Sequence, residues 1–95
     1  MEIRSANQTL QRSFYDVQYG CRHLGPKLAR RYAYVVNLIC CIDVPSDLAK
    51  FAFLDAAAPH NPAHTWTVSL GSGWRLILEP IEDGNAIEIM EVMQS

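Results

Sequence analysis

The chain has 95 residues, of which 49% are hydrophobic and 19% are charged, a composition that can form a hydrophobic core and does not indicate disorder. Its length predicts a single domain over residues 1–95. No apolar run approaches the roughly 20 residues that a membrane-spanning helix needs, and residues 1–8 contain no apolar stretch of the signal-peptide kind. A cytoplasmic protein without a membrane partner is therefore expected.

The charge is unevenly distributed along the chain. The net charge of −2 argues by itself against a nucleic-acid partner. However, residues 1–31 carry six basic side chains against two acids, whereas residues 79–91 carry five acids and no base. This asymmetry is compatible with a two-sided surface that docks a different partner on each side, or with chance in a small protein.

The cysteines and histidines predict neither a disulfide framework nor a metal site. Three cysteines, two of them adjacent, are typical of reduced, half-buried thiols in a reducing compartment. No set of three or four metal ligands is visible in the sequence, so we expect no metal and no other cofactor.

The first half of the chain shows helical periodicity. Residues 2–5 are a weakly signalled first strand. From Asn7, a plausible N-cap, to about Leu24, apolar residues recur with the helical period at Leu10, Phe14, Val17 and Cys21. The sequence therefore predicts one long first helix.

A second helix is predicted to follow the Leu24-Gly25-Pro26 segment, in which glycine ends one helix and proline begins the next. It should run from Pro26 to about Cys41, with an apolar stripe formed by Leu28, Tyr32, Val35, Ile39 and Ile42. The tight connection predicts an antiparallel helical hairpin. A short helical turn to about Leu54 should follow, with Ser46 as its cap.

The second half changes to the alternating pattern of β-strands. Strands are predicted over residues 66–70, 74–78 and 86 to about 93, separated by a Gly71-Ser72-Gly73 hairpin turn and an acidic turn over residues 82–85. The expected fold class is α+β, with an N-terminal helical hairpin packed on a small twisted antiparallel sheet. The sheet would be a three-stranded C-terminal meander, with residues 2–5 as a candidate fourth strand.

Residues 64–92 carry a family resemblance. The aromatic-led strand Trp66-Thr67-Val68-Ser69-Leu70, the short turn and the arginine-bearing strand Trp74-Arg75-Leu76-Ile77-Leu78 resemble the HigB branch of the RelE/ParE toxin superfamily, the plasmid maintenance killer proteins. The acidic turn and the closing strand continue the likeness, and the order of elements fits over nearly the whole chain. The resemblance implies a RelE-like fold.

The resemblance also implies a function. Such a protein is the toxin component of a type II toxin–antitoxin system, a metal-independent, ribosome-dependent mRNA endoribonuclease that uses the RNA 2′-hydroxyl as nucleophile and so inhibits translation. Its expected partners are the ribosome with messenger RNA and a cognate helix-turn-helix antitoxin. Operator DNA would be contacted only through the toxin–antitoxin complex.

Three residues are the candidates for catalysis. Arg75 matches the arginine that family members place on the second meander strand, and its planar guanidinium suits a phosphate. The family's acidic-Tyr-His tail is not matched, because Val92-Met93 or Gln94-Ser95 stand in the Tyr-His place, depending on the register. His60 and His64, in the loop before Trp66, are the candidate replacements as base or acid. The alternative is a solvated arginine and two solvated histidines.

Four residues are the candidates for RNA binding. Lys27, Arg30 and Arg31 place positive charge in the first turns of the second predicted helix, where it opposes the helix dipole. A polyanion such as RNA would explain that charge, and Trp74 is a further candidate contact with RNA. A solvated helix face is the alternative explanation.

Two other functions remain open from the sequence. The missing Tyr-His pair and the net negative charge favour a catalytically degenerate RelE-fold protein that acts by binding its antitoxin or another partner. An unrelated small α+β interaction domain would also satisfy the composition and the pattern of elements.

Overall fold

The computed structural model describes residues 1–57 and 65–94, which form an α+β fold with three helices followed by the meander of a four-stranded sheet. The helices and strands in chain order are β1 (Glu2–Ser5), α1 (Gln8–Tyr15), α2 (Val17–Leu24), α3 (Pro26–Cys40), β2 (Trp66–Gly71), β3 (Trp74–Ile81) and β4 (Ala86–Gln94). Two 3₁₀ turns, Pro45–Lys50 and Ala52–Leu54, follow α3, and a third, Glu82–Gly84, joins β3 to β4.

The sheet has the order β1-β4-β3-β2. Strands β2, β3 and β4 form the predicted antiparallel meander, and the candidate strand at residues 2–5 is present. This strand runs parallel to β4, with Glu2 opposite Ala86 and Ser5 opposite Ile89. The prediction of an antiparallel sheet is therefore wrong, and the sheet is mixed. A parallel pair needs a long connection between its strands, and here the helices and the other two strands supply it.

The β2–β3 hairpin closes through a two-residue loop in which both residues have positive φ, 53° at Ser72 and 81° at Gly73. This is the turn geometry that matches the twist of paired strands. Strand β3 extends past the predicted end at Leu78 to Ile81. Pro80 is tolerated there because β2 pairs with β3 only as far as Leu78, and among the described residues no strand pairs with that edge beyond it.

The predicted first helix is two helices, separated at Asp16. The backbone of Asp16 is extended, with φ −116° and ψ 103°, and its carboxylate accepts a hydrogen bond from the Tyr19 amide at 3.1 Å. Asp16 is thus the N-cap of α2. The break turns Val17 outward, where it is 74% exposed, so its predicted place on the apolar face is wrong. The helical region is a three-helix array rather than a hairpin.

Helix α3 follows the sequence prediction. It begins at Pro26, after Gly25 with φ 85°, and ends at Cys40. Its predicted stripe is buried and forms one core with α1, the 3₁₀ turns and the sheet. The least exposed side chains of this core are Tyr32, Val35, Val36, Ile39, Leu48, Leu54, Val68, Leu76, Leu78, Ile87 and Ile89.

The turn after α3 is fixed by Asp47 rather than by Ser46, which the sequence favoured as its cap. The Asp47 carboxylate accepts hydrogen bonds from the amides of Asp43 and Val44 and pairs with Lys50 at 2.8 Å. The bond from Lys50 and, after it, the two amide bonds hold the pKa of Asp47 below its ordinary value.

Within residues 1–57 and 65–94, none of the helices has the length and apolar character required to cross a membrane.

Candidate functional site

A groove lies between the α2–α3 junction and the β2–β3 hairpin, with a cavity volume of about 640 Å³. We call it the Trp74 groove, and its lining includes Leu24, Pro26, Lys27, Arg30, Leu70 and Trp74. Trp74 begins β3 on the side of the strand that also carries the buried Leu76 and Leu78, so its ring faces the helices. The structure thus brings together three of the four residues predicted to bind RNA.

The positive charge in the Trp74 groove comes from the first turns of α3. Lys27 and Arg30 are both exposed, and they are three residues apart, so they lie on the same side of the helix. Neither forms an ion pair with a described residue, and the groove lining contains no acidic side chain. Since the N-terminal end of a helix already carries partial positive charge, this arrangement favours a bound anion.

A second concavity, of about 360 Å³, is also lined by Trp74 and extends to Leu10, His23 and the acidic side chain of Glu91. The His23 ring stacks on Tyr19 with centroids 4.0 Å apart, and its Nδ1 lies 3.0 Å from the Tyr19 carbonyl oxygen. The guanidinium carbon of Arg12 lies 4.3 Å from the centroid of the same Tyr19 ring. His23 could not be selected from the sequence, because a single histidine at an exposed helical position forms no recognisable pattern.

Arg31 lies outside the Trp74 groove. Its guanidinium carbon is 5.6 Å from the ring centroid of Tyr34 and 5.1 Å from that of Phe53, on a different face of α3. A residue that follows Arg30 directly is turned by about 100° around the helix axis, which explains the separation.

Arg75 lies on the side of β3 opposite to Trp74, and its guanidinium is engaged within the fold. Nη2 donates to the carbonyl oxygen of Asp55 at 2.8 Å and to the carbonyl and hydroxyl oxygens of Thr67 at 3.2 and 3.0 Å. Nη1 contacts the Asp55 carboxylate at 3.3 Å. The side chain is 22% exposed. Arg75 therefore joins the segment after the second 3₁₀ turn to the sheet.

The other two predicted catalytic residues, His60 and His64, lie outside the described residues. Among residues 1–57 and 65–94, no group of three or more His, Cys, Asp or Glu side chains is arranged to hold a metal ion.

The Trp74 groove can bind a ligand that combines negative charge with a flat ring. The two cations suit phosphate oxygens, the indole offers a stacking surface, and the lining from Leu24 and Leu70 is apolar. Searches of protein-family models, curated proteins and solved structures find no match to this chain.

Proposed function

We propose that this chain is a RelE-like toxin component of a type II toxin–antitoxin system, acting on messenger RNA at the ribosome, and that the Trp74 groove is its RNA contact. The observation that carries the proposal is the convergence of Lys27, Arg30 and Trp74 on one groove, in which none of the described lining residues is acidic. The family assignment itself rests on the resemblance of residues 64–92.

The groove chemistry fits a single RNA strand better than a duplex. Phosphates along a strand are contacted by cations such as Lys27 and Arg30, and an unstacked base can lie on the Trp74 indole. A base within a duplex is already stacked on its neighbours and is not available to an indole. Binding through these cations would weaken as the salt concentration rises.

The position of Arg75 favours a second candidate function, a toxin-fold protein that binds RNA or its antitoxin without cutting RNA. Cleavage by the 2′-hydroxyl needs a base, an acid and positive charge at the phosphate. The guanidinium of Arg75 is occupied by Asp55 and Thr67 and is not in the Trp74 groove. In this alternative the Trp74 groove still binds RNA, and the protein inhibits translation by remaining bound rather than by cutting the RNA.

The Trp74 groove can be tested with the double variant Lys27→Glu/Arg30→Glu and with Trp74→Ala. We expect each to weaken binding of a fluorescein-labelled single-stranded RNA by at least about tenfold in fluorescence anisotropy, and to reduce growth arrest after induced expression. Arg22→Glu, an exposed charge reversal on α2, is the matched control and should change neither measurement. Wild-type affinity in the groove variants would reject the groove as the RNA contact.

A translation reaction distinguishes a protein that cleaves messenger RNA from one that binds it without cleavage. New 5′ ends in the messenger RNA, mapped by primer extension after wild-type protein is added, would support the endoribonuclease. Translation arrest without new ends would support the binding-only alternative. Absence of growth arrest by folded wild-type protein, together with absence of RNA binding, would contradict both. Relief of arrest by the adjacent reading frame tests the antitoxin partner.

A further inference from the structure

Four side chains form a cationic aromatic cluster on the face of α3 away from the Trp74 groove. We call it the α3 aromatic patch; it consists of Arg31, Tyr34, Phe51 and Phe53. The centroids of Tyr34 and Phe53 are 6.1 Å apart at an interplanar angle of 62°, and those of Phe51 and Phe53 have the same separation and angle. The Arg31 guanidinium lies over both Tyr34 and Phe53.

The patch leaves large apolar surface in water. Tyr34 is 52% exposed and Phe53 is 44% exposed, whereas Phe51 is partly buried against the core and anchors the cluster. Covering such rings is favourable, and aromatic residues with arginine are the side chains that most often dominate the energy of protein interfaces. The edge-to-face contacts hold the rings in place before binding, which reduces the entropy lost on association.

Helix α3 supplies no acidic residue that could neutralise the positive charge of the patch. Helix α3 carries Lys27, Arg30 and Arg31 and no acidic residue. In the described part of the chain the ion pairs involve Arg4, Lys50 and Arg75, and none reaches Arg31. A carboxylate supplied by a partner protein would therefore form the ion pair that Arg31 lacks among the described residues.

We propose that the α3 aromatic patch is a docking surface for an acidic amphipathic helix of a partner protein. Apolar side chains one turn apart on such a helix would cover Tyr34 and Phe53, and a carboxylate beside them would pair with Arg31. The patch shares no residue with the Trp74 groove, so a partner at the patch is a second interaction beyond the proposed RNA contact.

The composition of the patch favours a peptide over a nucleic acid. It contains three aromatic rings and a single cation, and that cation already lies over two of the rings. Lys50, which directly precedes Phe51, is paired with Asp47. A polyanion needs several free cations to bind tightly, whereas an amphipathic peptide gains mainly from covered apolar area and needs few charges.

The test uses the whole chain and a fluorescein-labelled synthetic peptide of about 18 residues, five helical turns, with Leu and Phe on one face and Glu elsewhere. We expect saturable binding in fluorescence anisotropy. Affinity should fall at least about tenfold in Tyr34→Ala/Phe53→Ala and in Arg31→Glu. A peptide with Lys in place of Glu should bind at least about tenfold more weakly, because it would place like charge against Arg31.

Matched controls keep the test specific. Tyr15→Ala removes an aromatic side chain that is 75% exposed on α1, and Arg22→Glu reverses a charge on α2; both should retain wild-type affinity for the acidic peptide. If the double alanine variant does not fold by circular dichroism, Arg31→Gln and Phe53→Ser replace it, because each changes one exposed or half-exposed side chain.

Three outcomes would overturn the proposal. The first is a peptide that fails to bind wild-type protein or binds all variants equally. The second is a labelled single-stranded RNA whose affinity falls with Tyr34→Ala/Phe53→Ala, which would make the patch a nucleic-acid site. The third is self-association in sedimentation velocity that the same substitutions abolish, which would make the patch a contact between copies of this chain.

Discussion

Tyr32 links two helices through a single buried hydroxyl. Its ring, on α3, is 1% exposed, and its hydroxyl donates to the carbonyl oxygen of Leu10 on α1 at 3.0 Å. Burial disfavours the charged phenolate and raises the pKa of Tyr32 above its ordinary value of 10.0. The residue therefore connects helix packing to the response of the fold to alkaline pH.

Tyr32→Phe should lower the free energy of unfolding at neutral pH by about 0.5–1.5 kcal/mol, the usual contribution of one hydrogen bond. In the wild type the unfolded tyrosine ionises near pH 10 whereas the folded one stays protonated, so stability is lost as the pH rises above 10. Tyr32→Phe removes the ionisable hydroxyl and therefore removes this contribution to the alkaline loss of stability. Urea denaturation at neutral and at alkaline pH measures both effects.

Tyr15→Phe is the control for the alkaline effect, because Tyr15 is 75% exposed and its hydroxyl forms no hydrogen bond with another described residue. An alkaline loss of stability that is as steep in Tyr32→Phe as in the wild type would show that Tyr32 is not its source.

Arg75 is expected to contribute to stability whatever its role in activity. Arg75→Ala removes the contacts to Asp55 and Thr67, and we expect the free energy of unfolding to fall by roughly 1–3 kcal/mol. Arg75→Lys keeps the charge but has one amine in place of a planar fork, so it should recover only part of this loss. Chemical denaturation of the two variants measures the difference.

The stability of Arg75→Ala and Arg75→Lys must also be known before a growth assay of these variants can be interpreted. Loss of the proposed growth arrest in Arg75→Ala would also result from a loosened 3₁₀ turn beside Asp55, without any part for Arg75 in the chemistry. Full stability in Arg75→Ala, combined with loss of activity, would instead favour the catalytic role that the family resemblance assigns to Arg75. Both variants should therefore be assayed at a temperature where each is fully folded.

At the scale of helices, the α1–α2 pair depends on Gly20. A Cβ atom at this position would lie 2.9 Å from the carbonyl oxygen of Ser13, a backbone atom that cannot swing away as a side chain can. Ser13 is itself buried, and its hydroxyl donates to the carbonyl oxygen of Thr9 at 2.6 Å. Helix α2 can approach α1 this closely only because residue 20 has no side chain.

Gly20→Ala should destabilise the protein, even though alanine favours a helix by about 1 kcal/mol over glycine. The clash must be relieved by moving α2, and overpacking of this kind costs roughly 1–3 kcal/mol. Gln18→Ala, an exposed substitution on the same helix, is the control and should change the melting temperature little. A melting temperature raised by Gly20→Ala would contradict the close packing described here.

Elements whose signals are local could be predicted from the sequence. Helix α3 was predictable because Gly25-Pro26 marks its start and its buried stripe keeps the helical period. The hairpin was predictable because Gly71-Ser72-Gly73 allows a turn with positive φ. The break at Asp16 was not predictable. The apolar period continues across it, and capping by the Asp16 carboxylate depends on how α2 packs.

At the scale of the whole molecule, the candidate site combines predictable residue types with an unpredictable arrangement. The sequence alone makes candidates of Lys27 and Arg30, by their charge, and of Trp74, by its aromatic ring. Their position in one groove, however, depends on α3 packing beside the distant β2–β3 hairpin. Arg75 could be assigned a role only by resemblance, since its contact with Asp55 joins segments that no local pattern relates. The parallel pairing of β1 also escaped prediction because it is long-range.

That pairing has a consequence for the growing chain. Strand β1 is synthesised before its partner β4, and the two strands are far apart in the chain, with Glu2 opposite Ala86. At the usual 5–20 residues per second, β1 waits roughly 4–17 s for β4 to be synthesised. Helix α1 packs on α2 and α2 packs on α3, so the three helices can assemble in the interval with their sheet-facing side bare. A chaperone that acts during translation would therefore meet this protein as an uncovered helical layer.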